Sequence, residues 1–266
     1  MLAVERISSL DDPRLEIYRN LRETNGKRDQ RVFVAEGPTV VKRLLNSDFR
    51  IRHLLISDRK FAAFEGLLPP DIHVMRTTPE LAEQLVGFPF HCGVIACAER
   101  RPDVELSQLI PRTGPSIIIA GEHITDPENS GALIRIAAAF GATAALFTRD
   151  SADPFSRRVL RVSMGNVLFL PVLQPAEMPV TLTQLSNQFQ FRIVRTVLQP
   201  EAIRLQDYAF PERSVLVFGN EYDGVTEGLQ KLPGDSVTIP MLNGTDSLNV
   251  AVSSGIFLHQ YRSQWS

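Results

Sequence analysis

Three times in its C-terminal half the chain passes from an apolar stretch of strand length into a polar loop and then into a helical pattern. Ser116-Ile-Ile-Ile-Ala120 precedes Asp126-Pro-Glu-Asn-Ser-Gly-Ala-Leu-Ile-Arg135, and Ser214-Val-Leu-Val precedes Phe218-Gly-Asn-Glu-Tyr-Asp-Gly224. Ile239-Pro-Met-Leu-Asn-Gly-Thr-Asp-Ser-Leu-Asn-Val250 holds the third passage. A continuous apolar run such as 116–120 suits a strand buried on both faces, and repeated strand–helix alternation builds a mostly parallel sheet with helices on both sides. The fold class expected is therefore α/β. In such a sheet the three loops meet at one edge, beyond the carboxyl ends of the strands, where ligands bind.

The same alternation organises the rest of the chain. The first hundred residues read as a small α/β domain, with helices at 13–24, 38–47 and 79–86 and strands at 31–35, 51–56, 72–76 and 92–98. Pro38 suits a first helical turn after Gly37, and Thr78-Pro79 supplies an N-cap followed by proline at N1. Residues 101–115, with Pro102, Pro111 and Gly114-Pro115, break the pattern and read as a linker between a domain at 1–100 and a domain at 116–266. In the latter the pattern places a helix at about 130–140, a strand at 143–147 and a helix opened by Asp153-Pro154. Strands follow at 167–170, 191–197, 214–218 and 236–239, then a final helix from about 247 to 262.

Composition excludes more than it assigns. The formal net charge is −2, with 17 Lys+Arg against 16 Asp+Glu in residues 1–112 and 11 against 14 in 113–266. Neither half holds nucleic acid by bulk charge, and any such contact rests on local patches. The two cysteines, Cys92 and Cys97, sit in one strand-like run, so neither a disulfide framework nor a zinc site follows. No metal is expected. Without an apolar run near 20 residues or a signal pattern in Met-Leu-Ala-Val-Glu-Arg, the reading is a cytoplasmic protein with no membrane partner.

The loops carry the chemistry. Asn129 lies at the first loop, and positions 129, 132 and 135 or 136 share a helix face, so Arg135 is able to turn back toward it. Arg135 is equally able to pair with Glu128 or Glu122 on the surface. Gly219 and Gly224 allow tight turns and close approach of a ligand, but no complete G-x-G-x-x-G is present. Glu221 is read as orienting Asn129 or Arg135, or as a helix-terminus charge. Ser247 is placed to N-cap the last helix, whose free amides can meet polar ligand edges. Arg157, Arg158 and Arg161 fall within one or two helical turns, a natural use of which is phosphate contact. Arg19, Arg22, Lys27, Arg28 and Arg31 extend such a track or form a solvated face.

Taken in order, these motifs resemble those of the SpoU/TrmH family of RNA 2′-O-ribose methyltransferases, part of the SPOUT superfamily. Asp153-Pro-Phe-Ser-Arg-Arg-Val-Leu-Arg161-Val-Ser-Met-Gly165 matches as well, and Arg31-Val-Phe-Val-Ala-Glu-Gly37 looks like the opening of an L30e-like substrate-binding domain. The resemblance implies a C-terminal trefoil-knot domain, S-adenosylmethionine as cofactor, and a homodimer acting on structured RNA, ribosomal rather than transfer RNA. It implies catalytic roles for Asn129, Arg135, Glu221, Ser247 and Asn249. Gly219, Asn220, Gly224, Ile239, Met241 and Leu248 would line the cofactor pocket, and Arg28, Arg31, Arg157, Arg158 and Arg161 would contact RNA. In the family the matching arginine activates the 2′-hydroxyl, yet a guanidinium with a pKa above about 12 is a poor proton acceptor, so phosphate positioning and alkoxide stabilisation are physically easier. Two departures, Ile136 where threonine often stands and His91-Cys92 in place of Pro-Gln, bear on substrate choice. The rivals are a transfer-RNA or base methyltransferase of the same fold, a non-catalytic RNA-binding protein, and a Rossmann oxidoreductase, which lacks its glycine fingerprint here.

Overall fold

In the computed structural model, which describes residues 3–19, 21, 31–102, 104–220 and 223–265, the chain forms two compact units. The first comprises Met1–Pro102 with Phe155–Leu168, and the second Asp103–Pro154 with Phe169–Ser266. Segment 155–168 therefore lies with the first unit although its neighbours in sequence belong to the second.

The first unit is built on β1 (Ala3–Arg6), β2 (Val32–Glu36), α1 (Pro38–Leu45), β3 (Ile51–Ser57), α2 (Asp58–Phe61), β4 (His73–Thr77), α3 (Pro79–Val86) and β5 (Val94–Glu99). Its sheet runs β1-β4-β3-β5-β2, with β5 antiparallel to both neighbours. Thr78 caps α3 through Leu81 N, as the Thr-Pro pair predicts. The expected helix at 13–24 is instead a 3-10 turn over Pro13–Tyr18, capped by Asp12; Asn20 and 22–30 lie outside the described residues. Cys92 falls in a turn ahead of β5, so the two cysteines do not share a strand.

The second unit contains α4 (Leu106–Leu109), β6 (Ser116–Gly121), α5 (Pro127–Ala139) and β7 (Ala144–Phe147). After α6 (Arg157–Val162), which packs on β2 in the first unit, come β8 (Val172–Leu173), α7 (Met178–Phe189), β9 (Arg192–Thr196), β10 (Ile203–Arg204), β11 (Arg213–Phe218), α8 (Glu227–Gln230), β12 (Asp235–Thr238) and α9 (Val250–Gln264). The sheet order is β10-β12-β9-β11-β6-β7-β8, and every pairing between these strands is parallel. All six residues of β6 are buried, as a strand covered on both faces requires. From β6 the chain runs outward through β7 and β8, then returns to the other side through β9 and β11. The order thus reverses beside β6, and the carboxyl ends of β6, β9, β11 and β12 gather there.

Three expected elements are corrected. The helix expected to open at Asp153-Pro154 starts at Arg157, with Ser156 as its N-cap accepting from Val159 N. The strand at 167–170 is a 3-10 turn at Asn166–Leu168, because Met164 and Gly165 take left-handed backbone and turn the chain; the apolar Val167, Leu168 and Leu170 are buried from that turn. The last helix starts at Val250, and its N-cap is Asn249 rather than Ser247, since Asn249 Oδ1 accepts from Ala251 N at 2.9 Å. Helix α7 was not anticipated; Met178, Leu182 and Leu185, spaced four and three apart, form its buried stripe. Among the described residues no helix is long and apolar enough to cross a membrane.

Candidate active site

The loops leaving β6, β11 and β12 are tied to each other by side chains that the sequence motifs contain. Gly121 ends β6, and the loop 122–126 leads into α5, capped by Asp126 through Glu128 N at 2.9 Å. Glu122, 5% exposed, accepts from Thr226 Oγ1 at 2.6 Å and from Thr226 N at 2.8 Å, joining this loop to the one after β11. Asn220 Nδ2 donates to His123 O at 2.9 Å and makes a second link. The β11 loop is itself closed by Asn220 N to Gly224 O at 3.1 Å and Gly224 N to Asn220 O at 2.9 Å. Gly224 has φ +66, open to glycine at no steric cost.

The third link fixes the start of α9. Asn249 uses its oxygen to cap Ala251 N, which leaves its amide free to donate to Asn129 Oδ1 at 2.9 Å. One side chain thus caps one helix and reaches into the first turn of another. Asn129 is 7% exposed and lies inside α5 rather than in the loop before it.

Between the loops lies a cavity of about 270 Å³ lined by Thr196, Val197, Leu198 and Phe218 on one side. Gly219, Asn220, Gly224, Ile239, Met241, Ser247, Leu248 and Asn249 complete the strand-end side, with Val250, Ser253 and Phe257 from α9. All six positions expected to line a cofactor pocket are therefore here, together with Ser247 and Asn249. Leu198, 59% exposed, and Leu242, 76% exposed, leave apolar surface on the β9 and β12 loops. Apolar slabs beside backbone donors and acceptors suit a purine and ribose better than a highly charged ligand.

A second cavity of about 30 Å³ adjoins the first, sharing Asn220 and Val250, and is lined by His123, Ile124, Thr125, Asp126 and Asn129. His123 is absent from the sequence expectations. Its backbone is left-handed at φ +54, held by donation of its N to Thr148 Oγ1 at 2.8 Å, and its Nδ1 contacts Asp150 Oδ2. Burial works against the Asp150 carboxylate, but hydrogen bonds from Thr148 and His123 outweigh it and keep its pKa below the ordinary value. The signal in the sequence, a histidine just ahead of Thr-Asp-Pro, is too short to stand out.

Other expected site residues fall elsewhere. Arg135 is exposed on α5, lines neither cavity, and makes no ion pair with a described residue. The reason is the helical period: 129 and 136 share a face, while 135 stands roughly 120° away. Glu221 and Arg28 lie outside the described residues, as do Arg22 and Lys27. Arg157, whose side chain is 12% exposed, turns inward to Glu36 at 3.3 Å and lies 5.3 Å from the Phe88 ring, whereas Arg158 and Arg161 are exposed on the same helix. Arg31 is exposed at the start of β2.

Residues 116–259 match the model of the SpoU rRNA Methylase family. A tRNA/rRNA methyltransferase of Mycobacterium bovis, described as uncharacterized, is 32% identical over 97% of this chain and 92% of its own length. The 23S rRNA (guanosine-2′-O-)-methyltransferase of Acinetobacter baylyi is 31% identical over 72% of this chain and 79% of that protein. The AdoMet-bound rRNA methyltransferase of Sinorhizobium meliloti has the same fold, with a TM-score of 0.83, 24% identity, and 98% of each chain covered.

Proposed function

The chain belongs to the SpoU rRNA methylase family, and from that premise we propose that it methylates ribosomal RNA at a ribose 2′-hydroxyl, with S-adenosylmethionine held in the cavity between the β9, β11 and β12 loops. Its second unit is the α/β trefoil-knot domain of these enzymes, preceded by a smaller α/β unit. The observation that carries the reading is the Asn249–Asn129 hydrogen bond, which ties the cavity wall to the first turn of α5. S-adenosylmethionine supplies an electrophilic methyl group on a sulfonium sulfur. Backbone at Gly219, Ile239 and Leu248, with Asn220, Gly224 and Met241, is assigned to holding and orienting it. Ser247, Asn249 and Asn129 are assigned to the reacting end, and Glu221 to supporting them. Alignment is the main requirement, because acceptor oxygen, methyl carbon and sulfur must lie in line.

Labelled methyl should pass from S-adenosylmethionine to deproteinised ribosomal RNA made by transcription, and digestion should release it as 2′-O-methylnucleoside. Label on a base, or on transfer RNA alone, would replace the substrate reading; no transfer and no cofactor binding would leave an RNA-binding protein. We assign RNA contact to Arg31, Arg158 and Arg161, with Arg28 a further candidate, and the first unit to docking. Arg157 is buried against Glu36, which the more exposed Arg161 also approaches at 3.9 Å. Cys92 and Cys97 are joined in no disulfide, which accords with a cytoplasmic site of action.

The homodimer is assigned to α9. Val252 and Ile256, 52% and 39% exposed, stand four residues apart on the side of the helix opposite its buried face, and α9 packs on α5, which carries the exposed Arg135. Wild type should sediment at twice the chain mass, and the double variant Val252→Asp, Ile256→Asp at the mass of one chain with unchanged far-ultraviolet circular dichroism. A monomeric wild type, or a double variant that stays dimeric, moves the interface elsewhere.

A further inference from the structure

We propose that a groove on the first unit, at the edge where β3 and β4 begin and β5 ends, holds an unpaired nucleotide of the RNA. The base lies against an apolar lining and the phosphates meet an arginine rim. This rests on the RNA methyltransferase reading and adds to it the form of RNA that the first unit accepts. A stretch whose bases are able to leave the stack fits the groove, and a continuous duplex does not.

The groove follows from the strand order. β3 and β4 are parallel and β5 runs against β3, so the starts of the first two and the end of the third share one edge. Glu99 N donates to Arg50 O at 2.9 Å and Arg100 N to Arg31 O at 2.8 Å, which brings the start of β2 to the same edge. α1 ends nearby, where Ser47 Oγ donates to Leu44 O at 2.7 Å and the chain turns into β3. The cavity left between α1, β3, β4 and β5 is about 700 Å³, within the range of about 300–1,000 Å³ usual for sites that enclose a small ligand. Leu45, Phe49, Ile51, Pro69 and Ile72 give it an apolar lining, and all its lining residues belong to the first unit.

Charge decides what the groove accepts. Arg31, Arg50, Arg52, Arg100 and Arg101 gather along this edge against Asp48, Asp71 and Glu99, a local cationic excess in a chain of net charge −2. Arg52 owes its place to a bulge: Ile51 pairs with Ala98 and His53 with Cys97, so Arg52 is an extra residue in β3. Consecutive residues of a regular strand face opposite sides, and the bulge lets Ile51 and Arg52 line the groove together. Glu99 meets Arg52 Nε at 3.1 Å and Arg50 Nη1 at 3.8 Å, and among the described residues the terminal amines of neither arginine make a hydrogen bond. Both side chains are exposed, so a phosphate gives up little in displacing Glu99 from them. Arg101 lies 4.3 Å from the centre of the Phe49 ring, which holds a third guanidinium beside the groove.

A duplex meets arginines through its phosphates alone and has no use for an apolar slot, since its bases are stacked and paired. An unpaired nucleotide uses both parts: the base leaves water beside Phe49, and the phosphates on either side of it meet the rim. Ser47, Asp71 and Glu99 stand among the lining residues as hydrogen-bond partners for the base edge.

Binding of a fluorescent single-stranded RNA of about 12 nucleotides, and of the same strand in a duplex, tests this without any methyl transfer. Wild type should prefer the single strand by about tenfold. The double variant Arg50→Ala, Arg52→Ala should bind it about tenfold more weakly and flatten the slope of log affinity against log salt by about 1.4, the share of two phosphate contacts. Phe49→Leu, which keeps an apolar side chain against Phe33 and Phe155, should lose about fivefold with that slope unchanged, because stacking releases no counterions. Far-ultraviolet circular dichroism like that of wild type checks that each variant is folded. A wild type without preference for the single strand, a folded arginine variant with unchanged affinity and slope, or adenosine monophosphate binding as tightly as the strand would overturn the proposal while leaving the methyltransferase reading intact. Single-strand binding that responds to these variants in a protein that transfers no methyl would remove only that reading.

Discussion

Gly219→Ala is expected to weaken S-adenosylmethionine binding by at least ~100-fold, about 2.7 kcal/mol. A β-carbon built at Gly219 would stand 2.0 Å from the Gly224 carbonyl carbon, 2.2 Å from its oxygen and 2.3 Å from Val225 N. All three are backbone atoms, so no rotamer change relieves the clash. The turn closed by the Asn220–Gly224 pair must open, and that turn forms one wall of the cavity. Gly224→Ala is the control, since its β-carbon meets nothing within 4 Å and its cost is the left-handed backbone, about 1 kcal/mol. Isothermal titration of the cofactor should rank Gly219→Ala far below Gly224→Ala, and equal losses would show that the close approach is not what shapes the wall.

Arg135→Ala is expected to lower kcat/KM for methyl transfer by ~1,000-fold, with cofactor affinity held within twofold, in line with the loss of one charge aimed at the transition state. Its position makes the sharper point. Arg135 lies outside both cavities of its own chain, on the α5–α9 layer where the dimer contact is assigned. If each arginine serves the neighbouring copy, an equal, re-paired mixture of Arg135→Ala and Gly219→Ala should regain up to about one quarter of wild-type activity, because about half of its dimers are mixed and one of the two sites in each combines an intact cavity with an intact arginine. No regain would confine Arg135 to its own chain, and no loss in the single variant would remove it from the reaction.

Much of this site was legible in the sequence because glycine, proline and asparagine have local conformational meaning. Thr78-Pro79 opens a helix and the Gly219–Gly224 turn follows a buried strand, just as their chemistry requires. Errors arose where two local readings were equally good. Ser247 and Asn249 are both sound caps, and the choice fell to Asn249 because only its amide also finds Asn129 from another helix. At 167–170 an apolar run suited a strand, but the left-handed pair Met164-Gly165 turned the chain first. The arginines of α6 looked alike by type and spacing, and only the position of Glu36, more than a hundred residues earlier, draws Arg157 inward at 3.3 Å while the more exposed Arg161 approaches it at 3.9 Å.

By itself, then, the sequence determined the α/β class, the parallel sheet and the three loops at its carboxyl edge, since periodicity and turn chemistry are local properties that tertiary contacts rarely reverse. The tertiary structure alone decided which side chains share a cavity, that Arg135 stands apart from Asn129, and that His123 and Asp150 meet across 27 positions of chain. Those are distances between segments remote in sequence. They are set by how the strands are ordered, and no spacing along the chain encodes them.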